Sequence, residues 1–271
     1  MRLQGKICAI TGAGGGIGYE AAKLFASEGA KVYILERNLE TGCATEAEIR
    51  ANGGDATFIQ TDVSSIESVE NAFKAIADVG NGLDVLYNNA GVFLGGVDNA
   101  VTQLSYETWH KVLDINLDGV FYCCKNAIPL MVKKGGGSVI STTSSAAIQG
   151  VPKCDAYTAT KGAIRALTRS MATEYGTMGI RVNCIAPCAI ATPMVIQSNF
   201  NDKTFDEERF LTTGAPLHRW GTPLEVAQVA LWLASDDSSY VTGEQITCDG
   251  AITINYPFTQ GPTKEEVLGD A

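Results

Sequence analysis

Thr11-Gly12-Ala13-Gly14-Gly15-Gly16-Ile17-Gly18 follows directly on the apolar run Ile7–Thr11 and opens a segment of helical periodicity. Glycine lets a backbone turn tightly and lie close to its neighbours, and a helix N-terminus offers unpaired N–H groups and a favourable dipole. Such a turn means little alone. Between a strand and a helix, it stands where a dinucleotide site holds its diphosphate. The register is T-G-x-x-x-G-x-G, because Ile17 fills the last glycine position of a G-x-G-x-x-G begun at Gly12.

Outward from this turn, short β-rich runs alternate with longer amphipathic stretches. The runs are Ile7–Thr11, Lys31–Leu35, Thr57–Thr61, Val85–Asn88, Ser138–Thr142, Arg181–Ala186 and Gln245–Cys248. Several are apolar on both faces, as expected of a parallel sheet covered by helices on either side. Ile17, Ala21, Leu24 and Phe25 form a helical stripe that stops at Gly29. Ser64 with Glu67, and Thr222 with Glu225 behind Pro223, read as capping boxes at helix starts. Repeated strand–helix alternation predicts a single doubly wound (Rossmann) α/β domain.

Composition narrows the classes. With 271 residues, 45% apolar and 18% charged, the chain fits one globular enzyme domain. A net charge of −10 leaves no basic stripe for a nucleic acid. No apolar run approaches the roughly 20 residues that span a bilayer, and Met1–Lys6 leads straight into a strand, so the cytoplasm is the expected compartment. The eight cysteines include no C-x-x-C pair, and His110 and His218 are the only histidines, which argues against any metal site. Buried reduced thiols are the better reading.

Two clusters carry chemistry. Glu36 ends the second strand about 20 residues beyond the turn, where a carboxylate can bind ribose hydroxyls and repel a 2′-phosphate. Arg37 beside it pulls the other way, and a merely solvated strand end is the rival reading. On balance the pair favours NAD over NADP. Asp62-Val63 closes the third strand, where both side chains would flank an adenine; a helix cap is equally open for Asp62. In the second cluster Tyr157 and Lys161 share a helix face, with Ser144 thirteen residues upstream of the tyrosine. A phenol titrates near 10 in water. A neighbouring ammonium should lower that value toward the range useful for general acid–base work.

Asn88-Asn89-Ala90-Gly91, Asn116 within Asp114-Ile115-Asn116-Leu117 of a long helix expected to begin near Ser105, and Arg181-Val182-Asn183 before Pro187 complete an ordered set of motifs. With them the chain resembles the short-chain dehydrogenase/reductase family from about Leu3 to about Ile254. The resemblance implies a seven-stranded parallel sheet, an NAD(P)-dependent alcohol–ketone reaction and a homotetramer. It implies catalytic roles for Asn116, Ser144, Tyr157 and Lys161, with Tyr157 as the base, Lys161 also binding the nicotinamide ribose, and the Asn116 carbonyl holding a water in a proton path. Gly12, Gly16, Ile17, Gly18, Glu36, Asp62, Val63, Asn89, Ala90, Pro187, Ile190 and Thr192 would join Tyr157 and Lys161 around the cofactor. Cys188 departs from the family, which usually has glycine there. Ser145, next to Ser144 on extended backbone, should point away from the site.

Residues 1–255 are expected to form the catalytic domain, with a substrate lid at about 193–217 and a tail over 256–271. Met194, Val195, Ile196, Phe200, Phe205, Phe210 and Leu211 would give the lid an apolar lining, faced by Ile148, Gln149 and Val151. That suits a bulky cyclic secondary alcohol such as a steroid or bile acid; a subunit contact would explain the same residues. Sugar alcohols and β-ketoacyl groups are alternative substrates, and a sugar-nucleotide epimerase or a non-catalytic dinucleotide sensor are alternative functions.

Overall fold

A computed structural model describes residues 1–80, 82–201, 205–255 and 267–268. The Phe200 side chain and the expected tail, apart from 267–268, lie outside the described residues. The strands are β1 (Ile7–Thr11), β2 (Lys31–Glu36), β3 (Asp55–Gln60), β4 (Val85–Asn88), β5 (Gly137–Thr142), β6 (Ile180–Pro187) and β7 (Gln245–Cys248). They form one parallel sheet in the order β3-β2-β1-β4-β5-β6-β7. Strand order reverses between β1 and β4, which opens a crevice at the carboxyl ends of those two strands.

Side chains alternate across the sheet, and each set meets its own helices. Cys8, Ile10, Val32 and Ile34 pack with α1 (Gly16–Ser27) and α9 (Pro223–Ala234). Ile7, Ala9, Tyr33 and Leu35 pack with α3 (Ile66–Asp78), α5 (Gly119–Lys134) and α6 (Asp155–Tyr175). Burial on both faces is why these strands read as unbroken apolar runs. The helix α2 (Leu39–Ala51) starts on an Asn38 cap, and α9 carries the expected Thr222–Glu225 box with Pro223 in its first turn.

Three local expectations are corrected. The cap of α3 is Ser65, which accepts from Ser68 N, because the Asp62 carboxylate takes both the N–H and the hydroxyl of Ser64 into a preceding turn. The helix carrying Asn116 is interrupted: α4 (Tyr106–Leu113) passes through a π-turn, Asp114–Asp118, into α5. Beyond Ser144 the chain is not extended but turns into a 3-10 segment, Ser145–Ala147, so strand alternation does not apply to Ser145.

The turn after β1 needs its glycines for two reasons. Gly12 lies at φ 63°, and a Cβ there would stand 2.8 Å from Ala90 Cα. A Cβ on Gly18 would strike the Gly12 carbonyl and come 2.5 Å from Asn89 Nδ2. The turn is thus pressed directly against the end of β4.

Candidate active site

The crevice widens into a cavity of about 670 Å³, lined at one end by the glycine-rich turn and at the other by Tyr157 and apolar side chains. Of the residues expected around a cofactor, Gly12, Gly16, Ile17, Glu36, Asp62, Val63, Asn89 and Ala90 line it. Pro187, Ile190 and Thr192 line it from the loop after β6. Gly18 is not in the lining; it sits behind the turn, against Gly12 and Asn89.

Hydrogen bonds fix this end. Asn89 Nδ2 donates to the carbonyls of Thr11 at 3.3 Å and Gly12 at 3.2 Å, while its N–H donates to Thr11 Oγ1 at 3.0 Å. Glu36 Oε2 accepts from Gly14 N at 3.1 Å and its Oε1 from Asn38 N at 2.9 Å, placing the carboxylate beside the turn. Asp62 both lines the cleft and holds Ser64, so the two readings of that residue coexist.

At the other end, Ser144 leaves β5 with φ −168° and ψ 165°; its hydroxyl accepts from Ala146 N at 3.2 Å and stands beside the Tyr157 phenol. Lys161 is only 4% exposed, and its ammonium donates to the Thr142 carbonyl at 2.7 Å. Its Nζ lies 5.4 Å from the centroid of the Tyr157 ring. Desolvation disfavours charge on both groups: burial pushes the Tyr157 phenol up to about 12 and the Lys161 amine down to about 8. Ser144 pulls the phenol back down, while Cys188 and Cys154 push it further up. The sequence led one to expect a downward pull from the ammonium; burial sets the direction of the shift instead. Among the protein's own groups, loss of solvent outweighs the ammonium, which is turned toward Thr142.

Asn116 is fully buried and does not line the cavity. Its Oδ1 accepts from Val92 N at 2.7 Å and its Nδ2 donates to Val92 O at 2.9 Å, so the side chain clamps the loop after β4. A Cβ on Gly91 would lie 3.1 Å from Asn116 Oδ1 and 3.6 Å from Lys161 Nζ, so only glycine fits between them without crowding. The π-turn at Asn116 departs from the regular i→i−4 ladder, a local distortion frequent at functional sites.

Ser145 lines the cleft beside Cys188, contrary to its expected outward direction. Gln149 and Val151 line the far wall, but Ile148 is outside it and 39% exposed. From the expected lid, Met194, Val195, Phe205 and Phe210 face the cavity, while Ile196 and Leu211 do not. Met194, Val195 and Ile196 belong to α7 (Pro193–Asn201), Phe205 precedes α8 (Glu207–Arg209), and Phe210 and Leu211 lie in the π-turn Phe210–Gly214 that follows it. Trp220 was not singled out from sequence; its ring packs 5.6 Å from Phe210 and 6.4 Å from Phe205, and its Nε1 donates to Glu207 at 2.7 Å. Among the described residues no group of His, Cys, Asp or Glu could hold a metal, and no helix is long and apolar enough to cross a membrane.

A family model described as enoyl-(acyl carrier protein) reductase matches residues 12–253. The chain belongs to the short-chain dehydrogenase/reductase family. It is 37% identical to a cyclohexanol dehydrogenase of Acinetobacter sp. (strain SE19), over 93% of this chain and 96% of that protein. Among solved structures, levodione reductase superposes with a TM-score of 0.89 at 33% identity, covering 94% of this chain and 100% of that one. A 7α-hydroxysteroid dehydrogenase solved with NADH and 7-oxo glycochenodeoxycholic acid gives 0.85 at 33% identity, over 92% and 94%. The chain is therefore an oxidoreductase of a family that uses nicotinamide dinucleotides.

Proposed function

We propose that the protein interconverts a neutral, bulky cyclic secondary alcohol and its ketone with NAD(H). The observation that carries this is one continuous cavity: backbone glycines at one end, Ser144 and Tyr157 in the middle, and the Phe205–Phe210–Trp220 aromatic cluster at the other. Its volume, about 670 Å³, falls in the range of small-molecule sites.

The cradle fits a dinucleotide, since the Gly12–Ala90 and Gly18–Asn89 approaches leave backbone, not side chains, along the turn. Gly12, Gly16 and Ile17 would hold the diphosphate, Glu36 the adenosine ribose, and Asp62 and Val63 the adenine. Asn89, Ala90, Pro187, Ile190 and Thr192 would border the nicotinamide half, with Lys161 on its ribose. When bound, the nicotinamide supplies the hydride acceptor or donor. Tyr157, as the phenolate left when its own proton has passed to solvent, takes the hydroxyl proton during oxidation; as the phenol it gives that proton during reduction. Ser144 hydrogen-bonds the reacting oxygen and stabilises charge developing there. Asn116 holds the loop beside Lys161, and its carbonyl would anchor the proton path that family resemblance implies.

Glu36 supports NAD over NADP, because a 2′-phosphate would stand beside a carboxylate already accepting two backbone N–H groups. Neutrality of the substrate follows from the walls. Among the described lining residues the cations are Arg37 and Lys161, neither of them at the aromatic end. A steroid is the second reading, favoured by cavity size and by likeness to the hydroxysteroid dehydrogenase. Cytoplasmic residence and a homotetramer complete the proposal, the latter resting on family resemblance and testable by solution mass.

Cyclohexanols, sterols and bile acids offered with NAD⁺ and NADP⁺, followed by reduced-nicotinamide absorbance, test the substrate class. Tyr157→Phe should lower kcat by about 10²- to 10⁴-fold with dinucleotide binding retained. Near-normal turnover in that variant refutes the reading.

A further inference from the structure

The helix that presents Tyr157 has an unusual start. Its first residue is Asp155, and Cys154 at the cap position provides no side-chain cap. Two first-turn N–H groups are taken instead by a residue far upstream. Asp98 Oδ1 accepts from Ala156 N at 3.2 Å and Oδ2 from Tyr157 N at 2.9 Å, across sequence separations of 58 and 59. Oδ1 also accepts from Asn99 N at 2.8 Å. The carboxylate is only 2% exposed, and none of the described ion pairs includes it. Its charge is met by backbone N–H groups at a helix N-terminus, where an anion is favoured.

The contact is reciprocal. Asp155 Oδ2 accepts from Val101 N at 2.8 Å, so loop and helix each cap the other. The same loop carries Phe93, whose ring meets the Tyr157 ring edge-on at 5.0 Å and whose carbonyl accepts from Ser198 on α7 at 3.2 Å. One step earlier, Val92 is clamped by Asn116. Tyr157 is therefore held at its own backbone N–H and against its ring by the one loop that joins β4 to α4.

We infer that Asp98 is a positioning residue for Tyr157: its carboxylate, bonded to the N–H of the tyrosine itself, sets where the phenol stands relative to Ser144. This rests on the proposed role of Tyr157. Proton transfer demands a reactive oxygen placed to a fraction of an ångström, and misplacement by about 1 Å can cost on the order of 10²-fold in rate. Asparagine keeps one acceptor oxygen and alanine none, so the loss should be graded.

The test measures kcat per NADH-binding site, counted by fluorescence titration, for wild type, Asp98→Asn and Asp98→Ala, with cyclohexanol and NAD⁺. The expected result is a fall of about 10-fold for asparagine and about 100-fold for alanine, with NADH affinity and cyclohexanol KM within a few-fold of wild type. A second readout is independent of turnover: the fluorine resonance of fluorotyrosine-labelled protein that disappears in Tyr157→Phe should shift or broaden in both Asp98 variants. A purely architectural cap would lower the melting temperature yet leave kcat per binding site and that resonance unchanged, which overturns the inference. If Tyr157→Phe itself keeps its turnover, the parent reading fails instead. If that variant is inactive while the Asp98 variants match wild type in rate and resonance, only the role of Asp98 fails.

Discussion

The glycine-rich end of the cleft and the end beneath Met194, Phe205, Phe210 and Trp220 are built from different materials. At the first, the wall is backbone: Gly12 against Ala90, Gly18 against Gly12 and Asn89, and carbonyls stitched by Asn89 Nδ2. At the second, the wall is side chain: Phe205, Phe210 and Trp220 packed on one another, with Met194 and Val195 beside them. Backbone walls tolerate few sequences, because a single Cβ collides. Side-chain walls depend on summed volume, which many sequences supply. One end is therefore written in motifs and the other is not.

That contrast can be broken at its strict end first. Gly18→Val places branched carbon where the Gly12 carbonyl and Asn89 already touch. Overpacking of about 3 kcal/mol should weaken NADH binding by about 100-fold, read by fluorescence titration alongside the melting temperature. Unchanged affinity would show that the turn is not the tight element argued for.

Lys161, between the two ends, sharpens the comparison by reporting how dry the junction is. Its amine titrates near 8 when folded, below the usual lysine value of 10.5, so burial penalises the charged form. The penalty is fully present below about pH 8 and relieved as pH rises from there toward the unfolded value, because the native state then binds fewer protons than the unfolded chain. Stability of the wild type relative to Lys161→Met should rise by about 2 kcal/mol between about pH 8 and about pH 9.5, measured by denaturant midpoints. The phenol of Tyr157 is common to both proteins and cancels. A flat difference would mean a hydrated ammonium.

Smaller effects separate the ends further. Glu36→Ala removes the carboxylate beside Gly14 while leaving Arg37, and should raise the NADP⁺ over NAD⁺ ratio of kcat/KM by about 10-fold. Smallest is Trp220→Ala, where Phe205 and Phe210 can close partly over the gap: KM for a cyclic alcohol should change by about three- to ten-fold with NADH affinity untouched. A loss of dinucleotide binding in that variant would erase the distinction between the two ends.

Strand positions were legible because β1, β4 and β7 are bounded by turn chemistry, and the observed limits Ile7–Thr11, Val85–Asn88 and Gln245–Cys248 coincide with the apolar runs. Helix starts were less so. Ser64 and Ser65 are equivalent as letters, and only the Asp62 carboxylate, bonded to Ser64, assigns the cap to Ser65. Thr142, whose carbonyl takes the Lys161 ammonium, carries no sequence signal, since any residue offers a carbonyl. Asp98 was equally silent, because its partners are backbone N–H groups 58 and 59 positions away.

By itself the sequence determined the alternation of strands and helices, the glycine turn and the order of Ser144, Tyr157 and Lys161, since these depend on local periodicity and on residue types with special backbone or proton chemistry. Tertiary structure alone decided which way Lys161 donates, how strongly burial holds Tyr157 protonated, where Asn116 leaves the regular helix, and which apolar side chains face the cavity. Those outcomes depend on desolvation and on partners brought together by the sheet, and neither is encoded in the spacing of neighbouring residues.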